Sequence, residues 1–188
     1  MNLLKNKKAL STVVTTLIIL VVSVLLATVV TFYAINVTTT RVQEESLFLT
    51  KPHVWYSANG TSPTAEAAIL IINTGGRDVV IDKITVRGQE CEWTKVFYNI
   101  TSGSISADLS FNSTLVDGGA ITIGNASYTF EQGSSGIDLT LKSGHTLILY
   151  IDDPDSIALN DIGITVGITV FTSNAQYYKE TNVQATTA

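Results

Sequence analysis

The chain has one cysteine and two histidines in 188 residues. A single thiol, Cys91, excludes an intrachain disulfide framework, so any globular part must be held by packing. Cys91 sits beside Glu92 and Trp93 with no neighbouring base, which argues for a structural thiol over a nucleophile. His53 and His145 lie far apart in sequence, and His145 falls in a predicted turn, so a solvated role is expected there rather than ligation. Charged residues make up only 14% of the chain and the formal net charge is −5. A phosphate backbone is therefore a poor partner, and no nucleic acid is expected. No glycine-rich phosphate cradle is present. Asp152-Asp153-Pro154-Asp155 lacks the glycine and distal glutamate of an EF-hand loop and reads as a solvated turn. Neither an enzyme nor a metal or cofactor site is expected.

Two local absences say more. No charged residue stands between Ala9 and Thr40, and neither glycine nor proline occurs between Leu10 and Thr50. Propensity argues weakly against a helix at Thr12–Thr16, an unbroken β-branched run. Apolar solvent overrides that objection, because every amide in lipid must be bonded within the segment and a helix does so locally. A helix over 10–50 would extend roughly 60 Å. A bilayer core needs only about 20 residues, so the surplus must project from the surface.

Three uses of such a segment compete. A cleaved secretory signal has an apolar region of about 7–15 residues, shorter than this one. A signal-anchor would keep Lys5, Lys7 and Lys8 in the cytoplasm. The third use turns on the junction Lys7-Lys8-Ala9-Leu10-Ser11, where a cut after Ala9 would remove the lysines and leave the whole helix attached. That junction, followed by ALSTVVTTLIILVV, resembles the class III signal peptide and amino-terminal region of archaeal type IV pilins and archaellins. The resemblance covers about forty residues. It implies cleavage by a prepilin peptidase between Ala9 and Leu10, and a cytoplasmic assembly ATPase with a membrane platform. Val14 stands where bacterial pilins usually carry a glutamate, which points to the archaeal branch.

Helices in lipid gain little by touching, and close packing there depends on small residues. Ser23, Ala27 and Thr31 recur every four residues, with Ala34 on nearly the same face, as a small-residue stripe. Outside lipid the balance changes. Each large apolar side chain kept from water is worth roughly 1.5–3 kcal/mol, so the segment as a whole amounts to tens of kcal/mol. A bundle of identical helices would hide them again.

Beyond Lys51 the chain is rich in Thr, Ser, Gly, Asn, Ile and Val, with turn residues every eight to twelve positions, as in an all-β sandwich. Ile162–Phe171 alternates with period two, with Ile162, Ile164, Val166, Ile168 and Val170 on one face. Leu139 and Leu141 followed by Leu147, Leu149 and Ile151 predict a hairpin across Lys142–His145. Ala67–Ile72 is continuously apolar, suiting a central strand ended by Asn73-Thr-Gly-Gly. AILIINTGGRDVVIDKITVRG is similar to the first hairpin of immunoglobulin-like modules of archaeal surface proteins. Trp55, Tyr56, Tyr177 and Tyr178 are candidates for core or subunit contacts, or for an adhesive patch. Five Asn-x-Ser/Thr acceptors occur, at Asn36, Asn59, Asn99, Asn112 and Asn125.

The expected fold is α+β: a long N-terminal hydrophobic α-helix followed by an immunoglobulin-like antiparallel β-sandwich. Residues 1–9 would be the signal peptide, 10–50 the assembly helix and 51–188 the outer domain, N-glycosylated with Asn36 the least suited site. The expected function is a homopolymeric pilin of an extracellular adhesion pilus, stored in the membrane before assembly and able to meet surfaces or glycans. An archaellin of a motility filament, or a single-pass anchored surface domain, are the alternatives.

Overall fold

The computed structural model describes residues 7–42, 44–58, 64–136 and 138–186. They form two separate units, 1–43 and 44–188. The first is one helix, α1 (Lys7–Val42), about 54 Å long at 1.5 Å per residue. Seven of its hydroxyls are spent on its own backbone. Thr15, Ser23, Thr28, Thr31, Thr39 and Thr40 each donate to the carbonyl four residues earlier, and Thr16 to the one three earlier. Thr15 and Thr16 of the β-branched run thus suit an apolar helix, because a hydroxyl bonded in this way does not need water.

The helix was expected to run to Thr50 and stops at Val42. Leu47–Thr50 belongs instead to the first strand, β1 (Leu47–Ser57). Period two explains the difference: Leu47 and Leu49 are buried in a core while Phe48 between them is 56% exposed. An absence of glycine and proline permits a helix but does not require one.

The second unit is a mostly antiparallel β-sandwich. Its other strands are β2 (Thr64–Asn73), β3 (Val79–Val86), β4 (Gln89–Glu90), β5 (Val96–Thr101), β6 (Ala120–Ile123), β7 (Ala126–Thr129), β8 (Glu131–Gln132), β9 (Leu139–Leu141), β10 (Thr146–Asp152), β11 (Thr165–Thr172) and β12 (Gln176–Thr186). One layer runs β1-β2-β10-β5-β8 and the other β12-β11-β3 with β4 and β9 beside β3. Strand β12 belongs to both. It pairs antiparallel with β11 through Asn182, then parallel with β1 from Val183. The edge strands β4 and β8 are two residues each and carry glutamates, which blunts edge-to-edge association.

The main core lies between the layers. Ala67, Ile69 and Ile71 of β2 and Leu147, Leu149 and Ile151 of β10 face Ile81 and Ile84 of β3 and Val166, Ile168 and Val170 of β11. The alternate residues of β2 and β10, among them Ala68, Leu70, Ile148 and Tyr150, enter a second core with Trp55, Phe97, Leu109, Ile121, Ile123 and Phe130. Burial on both faces is why β2 reads as a continuous apolar run. The second core is closed by the hairpin β6–β7 and by the irregular chain leading into it. That third layer was not expected.

Both predicted hairpins are corrected. β9 pairs with β3, not with β10, and β2 pairs with β1 and β10, not with β3. Each connection crosses from one layer to the other. Strand β11 begins at Thr165, later than expected, since Ile162 and Ile164 are 38% and 44% exposed and flank Gly163. The preceding 3-10 turn, Leu159–Asp161, is fixed by Asp161, which accepts from the Ala158 N–H and from Arg87.

Gly75 lies in the β2–β3 crossing, where an added Cβ would stand 2.7 Å from both Glu44 O and Ser46 N. Those are backbone atoms and cannot move aside cheaply. Gly75→Ala is expected to lower stability by about 1–3 kcal/mol. At Gly167 the atoms nearest an added Cβ, at 2.2–2.6 Å, belong to the exposed ring of Tyr178, which can swing into solvent, so Gly167→Ala should cost under about 1 kcal/mol. The urea midpoints of the two variants check this contrast.

Candidate functional site

The surface that sets this chain apart is the helix. Ser11–Thr40 spans 30 residues with a mean hydropathy of 2.9, long and apolar enough to cross a membrane, and none of it is buried. Such a segment is compatible with membrane anchoring or a signal sequence. Leu17, Leu20, Leu25, Val29, Val30, Phe32 and Tyr33 are each 60% exposed or more. Backbone at Lys7, Lys8, Ala9 and Leu10 is helical, and their side chains lie outside the described part of the structure. Of the expected packing stripe, Ala27 and Thr31 share one shallow groove with Val24, Thr28, Phe32 and Ile35. Ser23 and Ala34 do not line it. The groove is apolar, and its two threonine hydroxyls already donate to helix carbonyls.

The glycan acceptors are differently placed. Asn36 is exposed on the helix, and Asn59 lies outside the described residues. Asn99 is on β5, where its Nδ2, the atom a glycan would need, donates to Thr129 O at 2.7 Å. Asn112 accepts the Thr114 N–H at its Oδ1. Asn125 is exposed at the tip of the β6–β7 hairpin, next to Gly124 at φ +64°, where the backbone favours glycine. Of the described asparagines, Asn125 presents the best target.

The aromatic residues do not form one patch. Trp55 is buried in the second core and stacks on His53 at 5.0 Å. Tyr56 and Tyr177 pack against the main core, and Tyr178 is 59% exposed. Cys91 is half-buried, and burial pushes its thiol up to about 11. A thiol so protonated is a poor nucleophile at neutral pH. Asp155 of the acidic turn pairs with Lys95 at 2.7 Å. His145 lies in its turn with Nδ1 3.1 Å from Ser143 O.

Sequence reasoning passed over three polar residues that organise the domain. Glu66 is 2% exposed on β2, and burial lifts its carboxyl to about 8. Asn73 is wholly buried at the end of the same strand. Lys51 sits in a bulge of β1 with φ 51° and donates to the carbonyls of Ile105, Ser106 and Ala107. The signal for Glu66 was present: one acid inside an otherwise apolar strand must have a specific partner or hold a proton. Compared with known proteins, the chain matches no family model and no curated protein.

Proposed function

We propose that this chain is the structural subunit of an extracellular filament of the archaeal type IV adhesion-pilus kind, polymerising through α1. One observation carries the reading: a charge-free stretch of 30 residues within α1 with no buried part, attached to a β-domain with two filled cores of its own. The domain does not need the helix for its packing, so the helix is available for another partner. In the membrane that partner is lipid. Once drawn into water, helices of the same sequence are the partners of matching length and polarity.

The junction Lys8-Ala9-Leu10 supports processing after Ala9 by a prepilin peptidase. Work against tens of kcal/mol of apolar hydration is then the task of an assembly ATPase and its membrane platform. The sandwich would coat the spine and carry N-linked glycans, with Asn125 foremost. A second reading, a single-pass anchored surface domain without polymerisation, is favoured by the same helix.

Sheared cell-surface material decides between them. Filaments by electron microscopy, whose main band begins at Leu10 and yields an Asn125 glycopeptide, are the expected result. A protein that keeps Met1–Ala9 and remains with membranes would overturn the proposal in favour of the anchor.

A further inference from the structure

Residues 102–119 join β5 to β6 without helix or strand. Irregular segments longer than about 12–15 residues are uncommon in compact domains and tend to be functional. The centre of this strap, 105–112, crosses the outer face of the β1-β2-β10 layer and closes the second core. No backbone ladder holds it there. Side chains of the sheet do so instead. Lys51 Nζ donates to Ile105 O at 3.0 Å, to Ser106 O at 2.7 Å and to Ala107 O. His53 Nε2 is 2.9 Å from Asp108 Oδ1. Tyr150 OH donates to Ser110 O at 3.0 Å, and the Asn112 N–H reaches both Glu66 oxygens at 3.1 and 3.3 Å. Leu109 is the strap's buried apolar contact, and Phe111 meets Trp55 edge-on.

Glu66 is the unusual anchor. Its parity along β2, shared with Ala68 and Leu70, points it to the face the strap covers. On β1 it is paired with the uncharged Trp55, and on β10 with Asp152, whose carboxylate repels a second negative charge. Tyr150, next on β10 and itself raised by burial, contributes no cation. From the strap come only the Asn112 N–H and, farther along, Asp108. Glu66 has no ion pair among the described residues. A carboxylate there would be dry, with one N–H donor and an acid beside it. Water can reach it if the strap leaves.

We propose that the strap 105–112 is a pH-gated cover, closed over Trp55 and Tyr150 while Glu66 holds its proton and lifting when Glu66 ionises. The sign follows from linkage. The closed state binds a proton that the open state has released, so opening becomes easier as pH rises from the ordinary value of 4.5 towards about 8. The open-to-closed ratio rises about tenfold per pH unit in that window and levels off above it. A neighbouring anchor responds in acid instead. The His53 bond holds Asp108 below the usual carboxylate range, so that pair is lost only in acid from the Asp108 side. Because this contact ties the strap to a side chain other than Glu66, the test must separate the two.

Hydrogen exchange on the whole chain in detergent micelles, from pH 5 to 9 and corrected for intrinsic rates, provides that test. The amides of 105–112 are expected to lose protection about tenfold per pH unit up to about pH 8, while those of β2 and β10 hold theirs. Glu66→Gln should flatten the strap profile, and His53→Gln should leave the rise up to pH 8 in place. Acrylamide quenching of Trp55 in a Trp93→Phe background gives an independent reading on otherwise unaltered Glu66. A pH-independent strap, loss of strap and core protection together, or a dependence removed by His53→Gln and not by Glu66→Gln would each overturn the proposal.

Discussion

Replacing Asn73 with leucine lowers the stability of the β-domain by about 3–5 kcal/mol, the largest loss expected from one substitution in the sandwich. Asn73 has no exposed surface, and three bonds converge on its carboxamide. Its Nδ2 donates to Arg77 O at 2.9 Å and to Leu141 O at 3.0 Å, and its Oδ1 accepts the Gly75 N–H at 3.0 Å. Its backbone completes the knot, donating to His145 O and accepting from Gly144 N. The two crossings between layers, β2 to β3 and β9 to β10, are therefore tied together at one residue. Leucine matches the volume but removes all three bonds, leaving the Gly75 N–H with only Ser46 O as acceptor, and each buried bond lost without replacement costs about 1–3 kcal/mol. Thr74→Ala next door removes only an exposed hydroxyl contact with Ser46 and should stay within about 0.5 kcal/mol. Urea unfolding of the whole chain in micelles, followed by tryptophan fluorescence, measures both. Equal midpoints for the two variants would remove Asn73 from its organising role.

The same residue shows where sequence reading reached its limit. Asn73-Thr-Gly-Gly correctly marked the end of β2, because turn chemistry is local. What the turn does next is not local. A turn that folds a strand back beside itself and one that carries it to the opposite layer draw on the same residues. The choice is made by distant partners, here the pairing of β9 with β3 and the reach of Asn73 to Leu141. Both expected hairpins failed for this reason.

Burial, by contrast, was legible wherever it was strong. The continuous run Ala67–Ile72 did mark a central strand, packed on both faces. Alternation in Ile162–Phe171 found β11 but not its start. Ile162 and Ile164 keep the alternation, and Gly163 and Ile164 still exchange backbone bonds with Val183. Both isoleucines are exposed, however, and Gly163 turns the chain at φ +86°, which a period-two count does not register. The third layer was hidden for a different reason. Its apolar contribution is sparse, chiefly Leu109, Ile121, Ile123 and Phe130, and its attachment is by side-chain hydrogen bonds that leave no periodic trace. In the helix the apolar length was plain, while its end was masked by a strand whose alternation begins only at Leu47.

If α1 polymerises as proposed, Ala27→Asp is expected to leave the chain in the membrane and to abolish filaments, a loss of at least about 100-fold in polymer at equal expression. A single aspartate near the centre of an inserted helix costs about 2.5–3.5 kcal/mol. Leu25, Leu26, Val29 and Val30 surround position 27, and the segment's mean hydropathy of 2.9 leaves ample excess for insertion to survive. Packing against copies is less forgiving. Ala27 lies in the groove with Thr28, Thr31 and Phe32, and those threonines already donate to the helix's own carbonyls. A carboxylate carried into that contact finds no free donor, and an unpaired buried charge costs about 3–5 kcal/mol. Each added subunit brings another, and at 1.4 kcal/mol per tenfold every step of growth weakens by about two or three orders of magnitude. Membrane fractionation and electron microscopy of sheared material read the two effects separately. Normal filaments from Ala27→Asp would show that this face does not meet another copy. Loss of the protein from membranes would show that the helix lacks the apolar excess argued for it.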